Sequence, residues 1–188
     1  MQRLFLGIGP DRRARARLSA LARMLAGGLA CDRLRWVSAE NYHITVEFLG
    51  QIADERIAAV VEAADEAAAR TAPFSVCLPA VSAFPRAASP RVLALLIEPD
   101  PILHGLRRDL ARSLHSRGFA VEKRAFKPHL TVARIRGRGA LEVALPPVDA
   151  IRFAIDTLVL YESRRTDEGT RYLALHRARL ATRSQVPV

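Results

Sequence analysis

One short pattern occurs twice in this chain, as His43-Ile44-Thr45-Val46 and as His129-Leu130-Thr131-Val132. Each copy reads His, aliphatic, Thr, Val inside a β-branched, apolar run of the kind that forms a strand. Successive strand side chains point to opposite faces. His43 and Thr45 are therefore expected on one face, with Ile44, Val46 and Phe48 on the other. His129 and Thr131 likewise share a face, opposite Leu130 and Val132. A fold that buries both aliphatic faces presents two His/Thr pairs to one cleft. Two imidazoles and two hydroxyls facing each other suit acid–base chemistry on a phosphodiester.

A single His-x-Thr triplet arises easily by chance, and a lone strand histidine is usually a satisfied structural residue. Two copies in equivalent places weigh against coincidence. His104, His115 and His176 have no Thr two residues on and read as surface or packing residues. Neither motif has a Cys, Asp or second His nearby to complete a zinc-type ligand set, so neither metal nor cofactor is expected.

The surrounding chain reads as an α+β domain. Residues 2–8 suit a first strand. Asp11 offers an N-cap for a helix whose Leu18, Leu21 and Leu25 form an apolar stripe up to Gly27-Gly28. Arg35–Val37 and Tyr42–Leu49 read as strands. Asp54 reads as the cap of a second helix, with Ile57, Val60, Val61 and Ala64 facing inward. Pro73–Leu78 and Arg91–Ile97 read as strands, the latter preceded by the loop Phe84–Pro90. A third helix has Asp100 as N-cap, Pro101 as its first residue and Gly118 as its stop, with Leu103, Leu106, Leu110 and Leu114 as the core stripe. Pro128–Ile135 carries the second motif, and Arg136–Gly139 reads as a flexible basic loop. Two late strands, Ile151–Tyr161 and Arg171–Arg177, flank a turn around Asp167-Glu168-Gly169. Capped helix followed by motif strand thus recurs, as an internal repeat would. Two lobes supplying one motif each would place a site at their junction.

With 188 residues, half of them hydrophobic, the chain can bury a substantial core as one domain or two small lobes. No apolar run approaches a membrane span, and the short apolar N-terminus leads into Pro10-Asp11 and a polar helix rather than a cleavage site. Cys31 and Cys77 lack metal-type spacing and read as reduced thiols of a cytoplasmic protein. The net charge of +10, nearly all arginine, favours a polyanionic partner, although a general arginine bias would give the same balance.

On these motifs the chain resembles the 2H phosphoesterases, named for two His-x-Thr/Ser motifs. More closely it resembles the bacterial and archaeal RNA 2′,3′-cyclic phosphodiesterases, first described as 2′-5′ RNA ligases. The likeness runs through Arg3-Leu4-Phe5, Arg35-Trp36-Val37, His43–Gly50, Phe84-Pro85 with Pro90–Leu93, and Arg124–Arg134. Ser163, Gly169 and Tyr172 fit late family positions. Two departures, Ala94 where the family often has Trp and Arg165 where it often has an aliphatic residue, bear on the cleft rim and leave the motifs intact.

The resemblance implies two pseudo-symmetric lobes of mainly antiparallel sheet with outer helices, an active-site cleft between them, and a single domain over 1–188. It implies hydrolysis of RNA 2′,3′-cyclic phosphate ends, on tRNA fragments or small cyclic nucleotides, to 2′-phosphomonoesters by a monomer without membrane association. The family's usual assignment makes His43 the general acid and His129 the general base, with Thr45 and Thr131 donating to the phosphoryl oxygens. Arg134 is the added phosphate clamp by resemblance. It lies at the wrong parity for the cleft unless the strand ends or twists, and packing or solvent is the alternative. Phe5, Phe84 and Phe126 could stack on a base, though a buried aromatic is the plainer role for each. Reversible 2′-5′ ligation and a non-catalytic RNA-binding module are the competing functions; intact copies of both motifs argue against the module.

Overall fold

The computed structural model describes residues 1–29, 31–141, 143–167 and 169–181. The elements are β1 (Gln2–Ile8), α1 (Arg12–Gly28), β2 (Leu34–Trp36), β3 (Ile44–Ile52), α2 (Ile57–Ala69), β4 (Phe74–Leu78) and β5 (Val81–Phe84). They continue with β6 (Val92–Leu96), α3 (Pro101–Ser116), β7 (His129–Ile135), β8 (Ile151–Ile155), β9 (Thr157–Thr166) and β10 (Gly169–Arg179). Eight strands form one antiparallel sheet in the order β10-β9-β1-β3-β7-β6-β5, with β2 also paired to β7; β4 and β8 make a separate ribbon.

The large sheet is two half-sheets. β10-β9-β1-β3 forms one, and β7-β6-β5 with β2 forms the other. They meet where Ile44 of β3 pairs with Leu130 of β7, the central residues of the two motifs. Both side chains are fully buried, as the alternating pattern requires. The fold is therefore α+β with two related lobes. Among the described residues no helix is long and apolar enough to cross a membrane.

Helix ends follow local chemistry. Asp11 accepts from the Ala14 amide at 2.7 Å, and Asp100 accepts from the Leu103 amide at 2.7 Å with Pro101 at the first position. Gly118 adopts φ of +74° just past α3, a conformation costly for a residue with a Cβ. The buried stripes are Leu18, Leu21 and Leu25 on α1 and Leu103, Leu106, Leu110 and Leu114 on α3.

Three expectations are corrected. Asp54 caps no helix: it opens a 3₁₀ turn, Asp54–Arg56, and its carboxylate takes the Gln2 side-chain amide at 3.1 Å. α2 then starts at Ile57 and buries Val60 and four alanines, while Val61 is only half-buried. The apolar run Ile151–Tyr161 is two strands, because β8 pairs with β4 and β9 pairs with β1 and β10, the chain changing sheets at Asp156. Residues 81–84 form β5, paired with β6, where a loop was expected from Phe84 onward. Of the expected late turn, Glu168 lies outside the described residues. The basic loop after β7 is laced down, since the Arg33 guanidinium donates to the carbonyls of Arg136, Arg138, Gly139 and Ala140.

One buried ion pair fixes the approach to the second motif. Glu47 of β3 is 2 % exposed. It meets the Arg107 guanidinium of α3 at 3.0 Å and accepts from the Glu122 amide at 2.8 Å. Arg107 also donates to the Glu122 carbonyl at 2.6 Å. Burial raises the Glu47 pKa, against the lowering effects of the Glu122 amide and Arg107. Strand, helix and the segment leading into His129 are thus tied through one carboxylate. Arg107→Ala strands that carboxylate and should cost about 3 kcal/mol, read as a shift in the urea midpoint at unchanged slope. A loss below about 1 kcal/mol would mean the Glu122 amide suffices alone.

Candidate active site

The Ile44–Leu130 pair sets the geometry of the site. In an antiparallel pair, steps forward on one strand match steps backward on the other. His43 therefore lies level with Thr131, and Thr45 level with His129. Each motif meets the other head to tail about a local pseudo-twofold axis.

Both strands are then bulged at the same motif position. Between β1 and β3, Gly7 pairs with Thr45 and Leu6 with Glu47, so Val46 is the extra residue. Between β6 and β7, Ala94 pairs with Thr131 and Leu93 with Ala133, so Val132 is the extra residue. A bulge reverses the alternation beyond it. Val46 and Glu47 are consecutively buried, as are Val132 and Ala133. The residue five after each histidine consequently returns to the cleft face. Arg134 lines the cleft, which answers its parity problem. Phe48 also lines the cleft and is 47 % exposed, against the expectation that it would sit opposite His43.

The cleft encloses about 780 Å³ and brings His43, Thr45, His129, Thr131 and Arg134 together. Each imidazole is held in the same manner. Nδ1 of His43 lies 2.7 Å from the Asn41 carbonyl, and Nδ1 of His129 lies 2.8 Å from the Lys127 carbonyl, each two residues upstream. A carbonyl only accepts, so each Nδ1 carries the proton and each neutral ring turns an unprotonated Nε2 away from the backbone. Thr45 Oγ1, 3.1 Å from His43 Nε2, then donates to it. Each ring also has a phenylalanine beside it: Phe5 at 4.7 Å from His43 and Phe84 at 4.3 Å from His129, centroid to centroid. Phe126 lies elsewhere, against His104 and under Arg107. His176 pairs with Asp65 at 2.7 Å, outside the cleft lining.

The halves differ in how they hold their histidine. His43 is enclosed by Phe5, Tyr161 and Tyr172, and the Tyr172 ring meets it edge-on at 4.8 Å. Gly7 permits the close approach of β1 to β3 beside this ring, since a Cβ there would stand 2.9 Å from the Ile44 carbonyl. Burial first, then the charges of Arg134 and His129, pull the His43 pKa down to about 4, against the raising effect of the Asn41 carbonyl. Burial also lowers His129, against the raising effect of the Lys127 carbonyl.

Asn41 and Gln51 had little sequence signal, whereas Tyr172, Ser163 and Arg165 stood out only as positions of the family pattern. Asn41 acts through three groups: its carbonyl orients His43, its side-chain amide donates to the Thr170 carbonyl at 2.7 Å, and its Oδ1 accepts from the Tyr172 amide at 3.3 Å. Tyr172 in turn places its hydroxyl 3.4 Å from the Arg134 guanidinium. Gln51, Ser163 and Arg165 complete the wall on the β1–β3–β9 side. Among the described residues no group of three His, Cys, Asp or Glu side chains could hold a metal ion. In the free protein, NMR titration should place the His43 midpoint near pH 4, with the proton of the neutral ring on Nδ1. Arg134→Ala should move that midpoint upward by removing a nearby positive charge. A His43 midpoint near the ordinary 6.5 would contradict its enclosure.

A family model described as LigT like Phosphoesterase matches residues 8–94 and 97–172, so each matched segment holds one motif. The RNA 2′,3′-cyclic phosphodiesterase of Archaeoglobus fulgidus is 32% identical over 71% of this chain and 73% of its own length. That of Aeropyrum pernix is 30% identical over 81% and 90%. The protein of the same name from Geobacillus stearothermophilus is 34% identical over 68% of this chain, which spans only 42% of that relative's length. The crystal structure of E. coli LigT complexed with 3′-AMP superposes with a TM-score of 0.79 at 27% identity, covering 95% of this chain and 98% of that one. With its two linked half-sheets and paired motifs, the chain belongs to the LigT-like phosphoesterase family.

Proposed function

We propose that this phosphoesterase is an RNA 2′,3′-cyclic phosphodiesterase that opens the cyclic ester to a 2′-phosphomonoester with His43 and His129 as acid and base. The observation that carries the reading is the pair of imidazoles about a pseudo-twofold axis, each with Nδ1 fixed on a backbone carbonyl. Relatives bearing that activity as their name support the substrate class. The whole chain then works as one unit whose two half-sheets supply one motif each.

Water attacks phosphorus opposite the 3′ oxygen, the P–O3′ bond breaks, and the 2′ ester stays. His129 Nε2 takes the proton from water, and His43 Nε2 gives one to O3′. The family resemblance supplies this direction, and the pKa order supports it. The more strongly depressed His43 is the stronger acid once protonated, and His129 is the better base. Protonation of His43 also redirects Thr45. Nε2 then no longer accepts, so the Thr45 proton turns to a non-bridging phosphoryl oxygen while the Nε2 proton faces O3′. Thr131 plays the matching part beside His43, and Arg134 adds a fixed positive charge for the equatorial oxygens.

The direct test is product analysis of a short RNA ending in a 2′,3′-cyclic phosphate, with chelator present. A 2′-phosphate end should accumulate at full rate, and loss of activity restored by a divalent ion would sink the two-histidine scheme. His43→Ala and His129→Ala should each lower turnover by roughly two to four orders of magnitude. Thr45→Val or Thr131→Val keeps the shape without the donor and should depress kcat more than it raises KM. Because kcat/KM reports the free enzyme and needs one proton on the pair, it should peak between about 4 and the depressed His129 value. Above pH 6.5 it should fall about tenfold per unit; a flat profile from pH 6 to 9 would remove one of the histidines from the chemistry.

A further inference from the structure

Among the described residues the cleft is lined by three arginines and no carboxylate. A cyclic phosphodiester carries a single negative charge, and Arg134, whose charge reaches His43, is placed to meet it. Arg3 and Arg165 are left over. Both stand farther out along strands that flank His43. The Tyr161 ring of β9 is 6.1 Å from that of His43, centroid to centroid. Ser163 and then Arg165 follow on the same face of β9, each two-residue step covering ~7 Å. Arg165 pairs with Thr170 of β10, and the continued register of β1 and β9 sets Arg3 level with Ser163. All four residues line the cleft. Among the described residues neither Arg3 nor Arg165 meets a carboxylate, whereas Arg164, on the other face of β9, pairs with Glu162 at 2.9 Å. The Arg3 guanidinium rests over the Phe48 ring, 5.2 Å from the centroid, which steadies the cation without neutralising it. Like charges held at one end of a cleft repel each other, and an anion between them relieves that repulsion.

We propose that Arg3 and Arg165, with the hydroxyls of Ser163 and Thr170, hold the phosphodiester on the 5′ side of the terminal nucleotide. The proposal rests on the cyclic phosphodiesterase reading and deepens it, making the preferred substrate an oligonucleotide end rather than a free nucleotide. An RNA that ends in a cyclic phosphate carries all its other backbone charges on the 5′ side. A second anion in the cleft is therefore a linkage to a preceding nucleotide. Guanidinium forks suit paired contacts to the two non-bridging oxygens of such a linkage, and a hydroxyl can donate to the same oxygens. The place of Arg165 along β9, ~13 Å beyond Tyr161, sets it apart from the reacting phosphorus and suits a neighbouring one. Contacts of this kind position the backbone without reading its sequence. Arg165 stands where the family often has an aliphatic residue, so the grip is a property of this chain. The hydrolytic steps described above use none of these four side chains.

The test compares a dinucleotide ending in a 2′,3′-cyclic phosphate with the nucleoside 2′,3′-cyclic phosphate of the same terminal base. In the unaltered protein kcat/KM should favour the dinucleotide about five- to thirtyfold, mainly through KM. Arg165→Ala and Arg165→Leu should each bring the ratio most of the way to unity. A methylphosphonate linkage keeps the second nucleoside without its charge, and should do the same in the unaltered protein. Arg13→Ala removes an exposed charge of α1 outside the cleft and should leave the ratio as it was. A ratio near unity in the unaltered protein, or one that survives Arg165→Ala or the methylphosphonate, overturns the subsite. An equal fall in Arg13→Ala also overturns it, since net charge alone would then be at work. Calorimetry with the matching dinucleotide and nucleoside 2′-phosphates reads the same contrast without turnover. The expected contrast in binding with no hydrolysis of either cyclic substrate would overturn the hydrolase reading and keep the subsite. Hydrolysis of both substrates with no contrast would do the reverse.

Discussion

The pairing of Ile44 with Leu130 is the joint on which the site depends. Each residue is the buried centre of a His-x-Thr motif, so one contact in the apolar layer sets the level of four polar side chains on the opposite face. No other β3–β7 residue pair is aligned at this joint among the described residues, because the strands diverge beyond it and open the cleft. β2 continues along β7 at Ala133–Ile135, so the edge that β3 leaves is covered.

Duplicated geometry gives two equivalent histidines, yet a hydrolysis with one acid and one base needs them unlike. The difference arises from what each half-sheet places around its ring. β1, β9 and β10 supply Phe5, Tyr161 and Tyr172 around His43, and β7 sends Arg134 toward it. His129 has Phe84 beside it and a lesser shift. Burial in an apolar, cation-bearing pocket penalises imidazolium, which makes His43 the more readily emptied of its proton. Asn41 keeps that ring oriented while tying it to β10, so the same residue couples the acidity of His43 to the wall bearing Tyr172.

What the sequence disclosed was whatever a single strand or helix decides alone. The His/Thr face, the Asp11 and Asp100 caps and the leucine stripes are local properties, and each occurs as read. Bulges are properties of a pair of strands, so Val46 and Val132 gave no sign that they would turn Phe48 and Arg134 into the cleft. The same limit explains Ile151–Tyr161, an unbroken apolar run whose division at Asp156 is fixed by two different partner strands. Asp54 had the residue type of a cap, but the neighbouring β1 residue Gln2 engages its carboxylate.

The arginine excess looks different once its contacts are placed. Arg33 staples the loop after β7, Arg107 neutralises Glu47, Arg117 meets Glu66 at 3.0 Å, and Arg124 is bound by Glu122. Arg33, Arg107 and Arg117 make contacts between distant parts of the chain, while Arg124 pairs locally at the surface; moving any of them toward a phosphate would first cost the contact it already makes. Net charge still draws a polyanion from a distance, because a summed field does not need free side chains. Discrimination at close range falls to the few cations that line the cleft, Arg3, Arg134 and Arg165. They lie on different strands around the histidine pair, so long-range attraction of a polyanion and selectivity within the cleft are separable properties of this chain. The first is spread over the surface; the second is built into the strands that meet at Ile44 and Leu130.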